Sequence, residues 1–139
     1  MPSVFVDTNA LVYAAEEKTP LSRKTQIARE LLLLPDVHFS VQVLNEFVAT
    51  ARRPKKLNLS RESEYRWLQG WLLRPIAPLT TETFLRALAI HTRYQLSHWD
   101  SLIIASAQET GCTIVYSEDM AHEQTYDGVQ VLNPFNELS

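Results

Sequence analysis

The sequence predicts an α/β fold of three layers, with a central parallel sheet of four to five short strands flanked by helices. Three observations predict it. Short apolar runs rich in β-branched residues, at 4–6, 37–40, 112–116 and 129–132, alternate with longer stretches of helical period. The first run, Val4-Phe5-Val6, stops at Asp7 and passes straight into a helix, the layout of a βα turn in a parallel sheet. The alternation of strands and helices contains no repeat, low-complexity tract or linker, so a single domain over residues 1–139 is expected.

Taken in order, Asp7 or Thr8 is the expected N-cap of a helix over 9–16. Pro20 suits a helix start, and Ile27, Leu31 and Leu34 recur at helical spacing over 21–34 before Pro35-Asp36 ends the run. A strand at 37–40 leads into a helix over 41–52, with Val41, Leu44, Phe47 or Val48, and Ala51 on one stripe. Ser60 caps a helix over 61–73, and the proline-bounded segment 75–79 reads as a short strand or extended edge. Thr81 is the expected cap of a helix over 82–94. Ser97 and Asp100 form a capping-box pattern before a helix over 101–110, with Gly111 just past its end. The strand 112–116 runs into Ser117-Glu118-Asp119, and the strand 129–132 stops at Asn133-Pro134.

Of 139 residues, 45% are apolar and 21% charged, a globular composition. The leucine run 31–34 is far too short to span a bilayer, and the N-terminus lacks the basic region and long apolar run of a signal peptide. The single cysteine, Cys112, permits no intrachain disulfide and reads as a buried, inert thiol. A soluble cytoplasmic protein is expected. Net charge is −3, which speaks against a general nucleic-acid binder. Its distribution is uneven: all 13 Lys and Arg and 9 acids fall in residues 1–94, net +4, whereas 95–139 hold 7 acids and no cation, net −7. That split suggests a basic face beside an acidic pocket.

Four acids stand out. Asp7 and Asp119 follow strands, so both reach the same sheet edge if those strands are parallel. Glu46 interrupts an otherwise apolar helix, and Asp100 shares a helix face with Ile103 and Ile104. Each has a structural alternative: Asp7 as a helix cap, Asp100 as the capping-box acid of Ser97, Glu46 as an ion-pair partner of Arg52 or Arg53. Together they are costly unless something neutralises them. A hard divalent cation with oxygen ligands does so, and Mg²⁺ or Mn²⁺ fits. His91, His98 and His122 match no zinc pattern. Mg²⁺ held by carboxylates is a means of hydrolysing phosphodiesters.

The segments V-D-T-N-A-L-V-Y-A (6–14), S-V-Q-V-L-N-E-F (40–47), L-S-H-W-D-S-L-I-I-A-S-A (96–107), Y-S-E-D-M (116–120) and G-V-Q-V-L-N-P-F (128–135) resemble PIN domains, most closely VapC-type toxins of toxin–antitoxin modules. The resemblance covers nearly the whole chain. It implies a PIN-like fold and a Mg²⁺- or Mn²⁺-dependent endoribonuclease, usually dimeric, with RNA as substrate and a cognate antitoxin holding it inactive. The acidic positions carry over as Asp7, Glu46, Asp100 and Asp119. Asp7 and Asp100 are then direct metal ligands, Glu46 binds directly or through water, and Asp119 acts from further out or at a second metal. Asn9 matches a residue supporting the first aspartate, and Ser117 a hydroxyl position that is usually Thr. Ala121-His122-Glu123 departs from the pattern, which often has Gly after the His.

Arg52, Arg53, Lys55 and Lys56 follow the helix carrying Glu46 and are candidate contacts for RNA phosphates, or else simply suit a helix C-terminus. Trp67 and Trp71, at i and i+4, suit either a dimer or antitoxin surface or plain core packing. The competing readings are a haloacid-dehalogenase-like phosphatase, for which Asn9 stands where a second Asp is required, a catalytically silent PIN scaffold that binds RNA or a partner, and a metal-free ribonuclease using His98 or His122.

Overall fold

The computed structural model describes residues 2–136; residues 1 and 137–139, the ends of the expected domain, lie outside them. The sheet is built from β1 (Val4–Val6), β2 (Val37–Ser40), β3 (Ile76–Ala77), β4 (Ile114–Tyr116), β5 (Thr125–Tyr126) and β6 (Val129–Leu132). Their order is β3-β2-β1-β4-β6-β5, and every pairing is parallel except β5 with β6. The expected parallel α/β sheet is present with six strands instead of four to five. The extra strand is β5, a hairpin partner of β6 closed by Asp127 (φ 49°) and Gly128 (φ 84°). Two successive positive-φ residues, Asp then Gly, are what a two-residue hairpin turn requires. Two residues are too few to show alternation, so β5 is invisible to periodicity.

Among the described residues six helices cover the sheet: α1 (Thr8–Ala14), α2 (Arg23–Leu31), α3 (Val41–Ala51), α4 (Arg61–Trp71), α5 (Thr81–Tyr94) and α6 (His98–Glu109). Their starts are set by hydroxyl and carboxylate caps. Asp7 caps α1, and Ser22 caps α2, accepting from the Thr25 N–H at 3.1 Å, so that helix starts at Arg23 and not at Pro20. Ser40, Ser60 and Ser97 cap α3, α4 and α6. Thr80, not Thr81, caps α5, because only Thr80 can pair reciprocally with Thr83 in a capping box. The helix α6 therefore begins at His98, and Gly111, at φ 74°, lies just past its Thr110 cap as expected.

Phe5, Leu11, Phe39, Phe47, Ile90, Ile103 and Ile104 fill the core. Trp71 belongs to it: its ring meets Phe47 edge-on at 4.7 Å and Phe39 at 6.4 Å. Core packing, not a partner surface, is its environment. Trp67 is half-buried, stacked on Trp71 and covered by the Arg29 guanidinium. Cys112 is buried, and burial pushes its thiol up. No helix among the described residues is long and apolar enough to cross a membrane.

Strand register fixes where the acids leave the sheet. Val6 of β1 lies opposite Tyr116 of β4, and the Asp7 N–H donates to the Tyr116 carbonyl at 3.0 Å. Asp7 and Ser117 therefore leave the sheet side by side. The chain winds outward from β1 through β2 to β3, then returns to place β4 on the other side of β1. The β1–β4 boundary is thus the switch point of the sheet, where a crevice opens at the strand ends.

Candidate functional site

Asp7 is 5% exposed at that crevice. One carboxylate oxygen accepts from the Thr8 N–H at 2.7 Å and the other from the Ser117 hydroxyl at 2.8 Å. Burial nonetheless pushes its pKa up to about 6; the two hydrogen bonds pull it down, and Asp119 and Glu46 raise it again. Asp7 thus does cap α1, and it also sits in a field of other acids. Ser117 is fully buried and accepts from the Asp119 N–H at 3.2 Å, so one hydroxyl ties the first acid to the loop carrying the last.

Glu46 comes in from α3. It does not pair with Arg52: that guanidinium forms two hydrogen bonds with Glu64, at 3.0 and 3.3 Å, and Glu64 is itself 1% exposed. Glu46 instead accepts from Thr8 Oγ1 at 2.8 Å and from the Gln42 amide at 3.2 Å. Asp100 stands in the first turn of α6, where its N–H donates to the capping Ser97 hydroxyl at 3.1 Å. Burial raises the Asp100 carboxyl, Ser97 lowers it, and Asp119 and Glu46 raise it. Asp119, the most exposed of the four, is raised by burial and by Glu118, pulled down by Asn9, and raised by Glu46. The Asn9 amide lies against Asp119 without a hydrogen bond of ordinary geometry.

Glu46 and Asp119 therefore act on both Asp7 and Asp100, linking acids from β1, α3, α6 and the β4 loop. Among the described residues none of them takes part in an ion pair. Among the described residues no group of three or more Asp, Glu, His or Cys side chains stands close enough together to hold a metal ion. The donor set is oxygen-only and uncompensated by cations, which is the chemistry that suits a hard divalent ion.

An open pocket of about 790 Å³ adjoins the site. Asn9, Glu46 and Asp119 line it, and so do Arg53 and Lys56; Asp7 and Asp100 are not part of its wall. Along α3 the lining residues are Glu46, Ala49, Thr50 and, just past the helix, Arg53. That spacing is one helical stripe, which sets Glu46 and Arg53 roughly 10 Å apart along the axis. The basic stretch thus divides: Arg53 and Lys56 face the pocket, Lys55 is exposed, and Arg52 is committed to Glu64.

Sequence reasoning missed several residues. Thr8 reads from sequence only as a cap, and Gln42 as part of an apolar stripe. Glu118 beside Asp119 is held by the Tyr13 hydroxyl at 2.7 Å and by Lys24 at 3.1 Å, a pairing of residues some hundred positions apart in sequence that no local pattern shows. Of the histidines, His98 packs against the rings of Phe84 and Trp99, and His122 accepts from the Asn133 N–H at 2.9 Å.

A family model described as the PIN domain matches residues 4–128. No curated protein matches the chain. Among solved structures it is similar to a toxin–antitoxin complex from Klebsiella pneumoniae, at 19% identity and TM-score 0.69 over 95% of this chain and 98% of that one. It is also similar to VapC20 of Mycobacterium tuberculosis, described as a sarcin–ricin loop cleaving toxin, at 20% identity and TM-score 0.65 over 84% and 90% of the two chains. DNA-bound VapBC from Salmonella typhimurium matches at 17% identity and TM-score 0.68, over 96% and 99%. At these identities the likeness is one of fold.

Proposed function

The chain belongs to the PIN domain family, and from that premise we propose that it is a Mg²⁺- or Mn²⁺-dependent endoribonuclease acting as the toxin of a toxin–antitoxin module. The observation that carries the reading is Asp7: a buried carboxyl at the sheet's switch point, pushed up to about 6, under the influence of two further acids, Asp119 and Glu46, which also act on Asp100. A divalent ion held there would supply Lewis-acid chemistry for phosphodiester hydrolysis, polarising the phosphate and activating a water. Asp7 and Asp100 would hold it directly, Glu46 directly or through water, and Asp119 would support it from further out or serve a second ion. Ser117 and Thr8 keep Asp7 and Glu46 aimed, and Asn9 steadies Asp119. Arg53 and Lys56 hold a neighbouring phosphate of a single strand laid through the pocket.

The solved toxin–antitoxin complexes that share the fold support a cognate antitoxin as partner; action in the cytoplasm as a homodimer completes the proposal. An antitoxin would mask this site with a cation, since a guanidinium satisfies two carboxylate oxygens at once. The deciding experiment is cleavage of RNA by the purified protein. It should require Mg²⁺ or Mn²⁺, stop with EDTA, and be lost in Asp7→Asn and Asp100→Asn variants that remain folded by circular dichroism. Full activity of both variants, or activity in EDTA, refutes the reading. RNA binding without metal-dependent cleavage favours the silent scaffold.

A further inference from the structure

Gln42 is a polar side chain, 4% exposed, between Val41 and Val43 on α3. Its amide nitrogen lies 3.2 Å from Glu46 Oε1 and 3.2 Å from the carbonyl oxygen of Trp99. Both partners are acceptors, so the NH₂ must face them. The amide oxygen is then left buried without a partner. An unsatisfied buried acceptor is costly, and an apolar residue would pack here without that cost. Cohesion of α3 alone gives no reason for a glutamine at this place.

What its two bonds connect does give one. Glu46 stands one turn further along α3. Trp99 immediately precedes Asp100 in the first turn of α6. The second oxygen of Glu46 accepts from Thr8 Oγ1 at 2.8 Å, and Thr8 immediately follows Asp7. Glu46 is therefore gripped by two donors, and one of them also holds the turn that presents Asp100. We propose that Gln42 is a positioning residue for the metal-holding carboxylates: a single amide aims Glu46 and sets the placement of Asp100. This rests on the proposed metal site and assigns a residue that neither sequence pattern nor acidity reveals.

Partners that orient metal ligands typically govern metal affinity by about 10–100-fold. The test is Mn²⁺ binding by isothermal titration calorimetry, at one pH, to the full chain, to Gln42→Met, to Glu46→Gln and to the double variant. Gln42→Met keeps length and removes both bonds. It should melt cooperatively and bind Mn²⁺ about 10-fold or more weakly. In the Glu46→Gln background the same change should cost far less, because most of its effect runs through Glu46. Affinity within about twofold of wild type, or an equal loss in both backgrounds, overturns the proposal. If Gln42→Met does not fold, Gln42→Glu keeps size and polarity while replacing the donor by an acceptor; it should lose affinity as far, and undiminished binding overturns the proposal. A wild-type protein that binds no Mn²⁺ at millimolar concentration removes the metal-site reading, and this inference with it.

Discussion

The Ser117 hydroxyl donates to Asp7 Oδ2 at 2.8 Å, across 110 residues of sequence, while accepting from the Asp119 N–H. Because the bond favours the ionised carboxylate, it holds the Asp7 pKa below the value burial alone would give. Ser117→Ala removes it. The Asp7 carboxyl should rise further, and the pH at which RNA cleavage reaches half its maximum should rise with it. Activity near pH 6 should fall more than activity near pH 8. A pH–rate profile for the two proteins checks this; an unshifted midpoint shows that Asp7 does not control the profile. Losing the bond from the Asp119 N–H should also cost about 0.5–1.5 kcal/mol of stability.

Asp7 also makes the metal-free protein sensitive to pH. Its pKa rises from the ordinary 3.8 to about 6 on folding, so between those values the native state binds a proton that the unfolded chain has lost. That contribution is fully present below the unfolded pKa and disappears as pH rises through about 6. Asn caps a helix as well as Asp does and carries no charge. In EDTA at pH 7.5, Asp7→Asn should therefore be more stable than wild type, by up to about 3 kcal/mol, with the gap closing near pH 4. Urea melts at both pH values measure it. A variant less stable at pH 7.5 means that the charge of Asp7 is better compensated than its environment indicates.

How far the sequence leads is decided by how local each signal is. Val4-Phe5-Val6-Asp7 is legible because an apolar run ending in a carboxylate is contained in four residues. The four acids are legible as anomalies in apolar or strand-end settings. Gln42 is not, because its meaning lies in a carbonyl 57 residues away. The role of Arg52 is hidden for a similar reason: its partner Glu64 lies on the next helix and is buried, whereas a basic stretch reads locally as surface. The start of α2 is misplaced at Pro20 because a proline suits the first turn of a helix, whereas the Ser22 hydroxyl two residues on is what satisfies an N–H.

Trp71 gives the clearest contrast between a surface and a core assignment. Its ring is packed edge-on against Phe47 and Phe39 and is 7% exposed. Trp71→Ala should therefore cost about 3–5 kcal/mol and lower the melting temperature steeply, instead of selectively weakening a partner. Leu73 is 87% exposed at the end of the same region, and Leu73→Ala should leave stability nearly unchanged. Thermal melts separate the two. Equal melting temperatures for wild type and Trp71→Ala would place that ring outside the core.

Arg52 and Arg53 are adjacent in sequence and have different work. The Arg52 guanidinium is tied to buried Glu64, while Arg53 lines the pocket that Glu46 and Asp119 also line. Removing Arg52 leaves a buried carboxylate without its cation, so Arg52→Gln should lower the melting temperature. Arg53→Gln removes a charge from an exposed position, and the melting temperature should stay where it is. Binding to a single-stranded RNA oligonucleotide should behave the other way round. Each phosphate contact on a single strand contributes about 0.7 to the slope of log affinity against log salt. Measured in an Asp7→Asn background, which binds without cutting, Arg53→Gln should reduce that slope by about 0.7 and Arg52→Gln should leave it unchanged. A slope that falls for Arg52 and not for Arg53 would reverse their roles and put the strand on the outer face of α3, away from the acid-lined pocket.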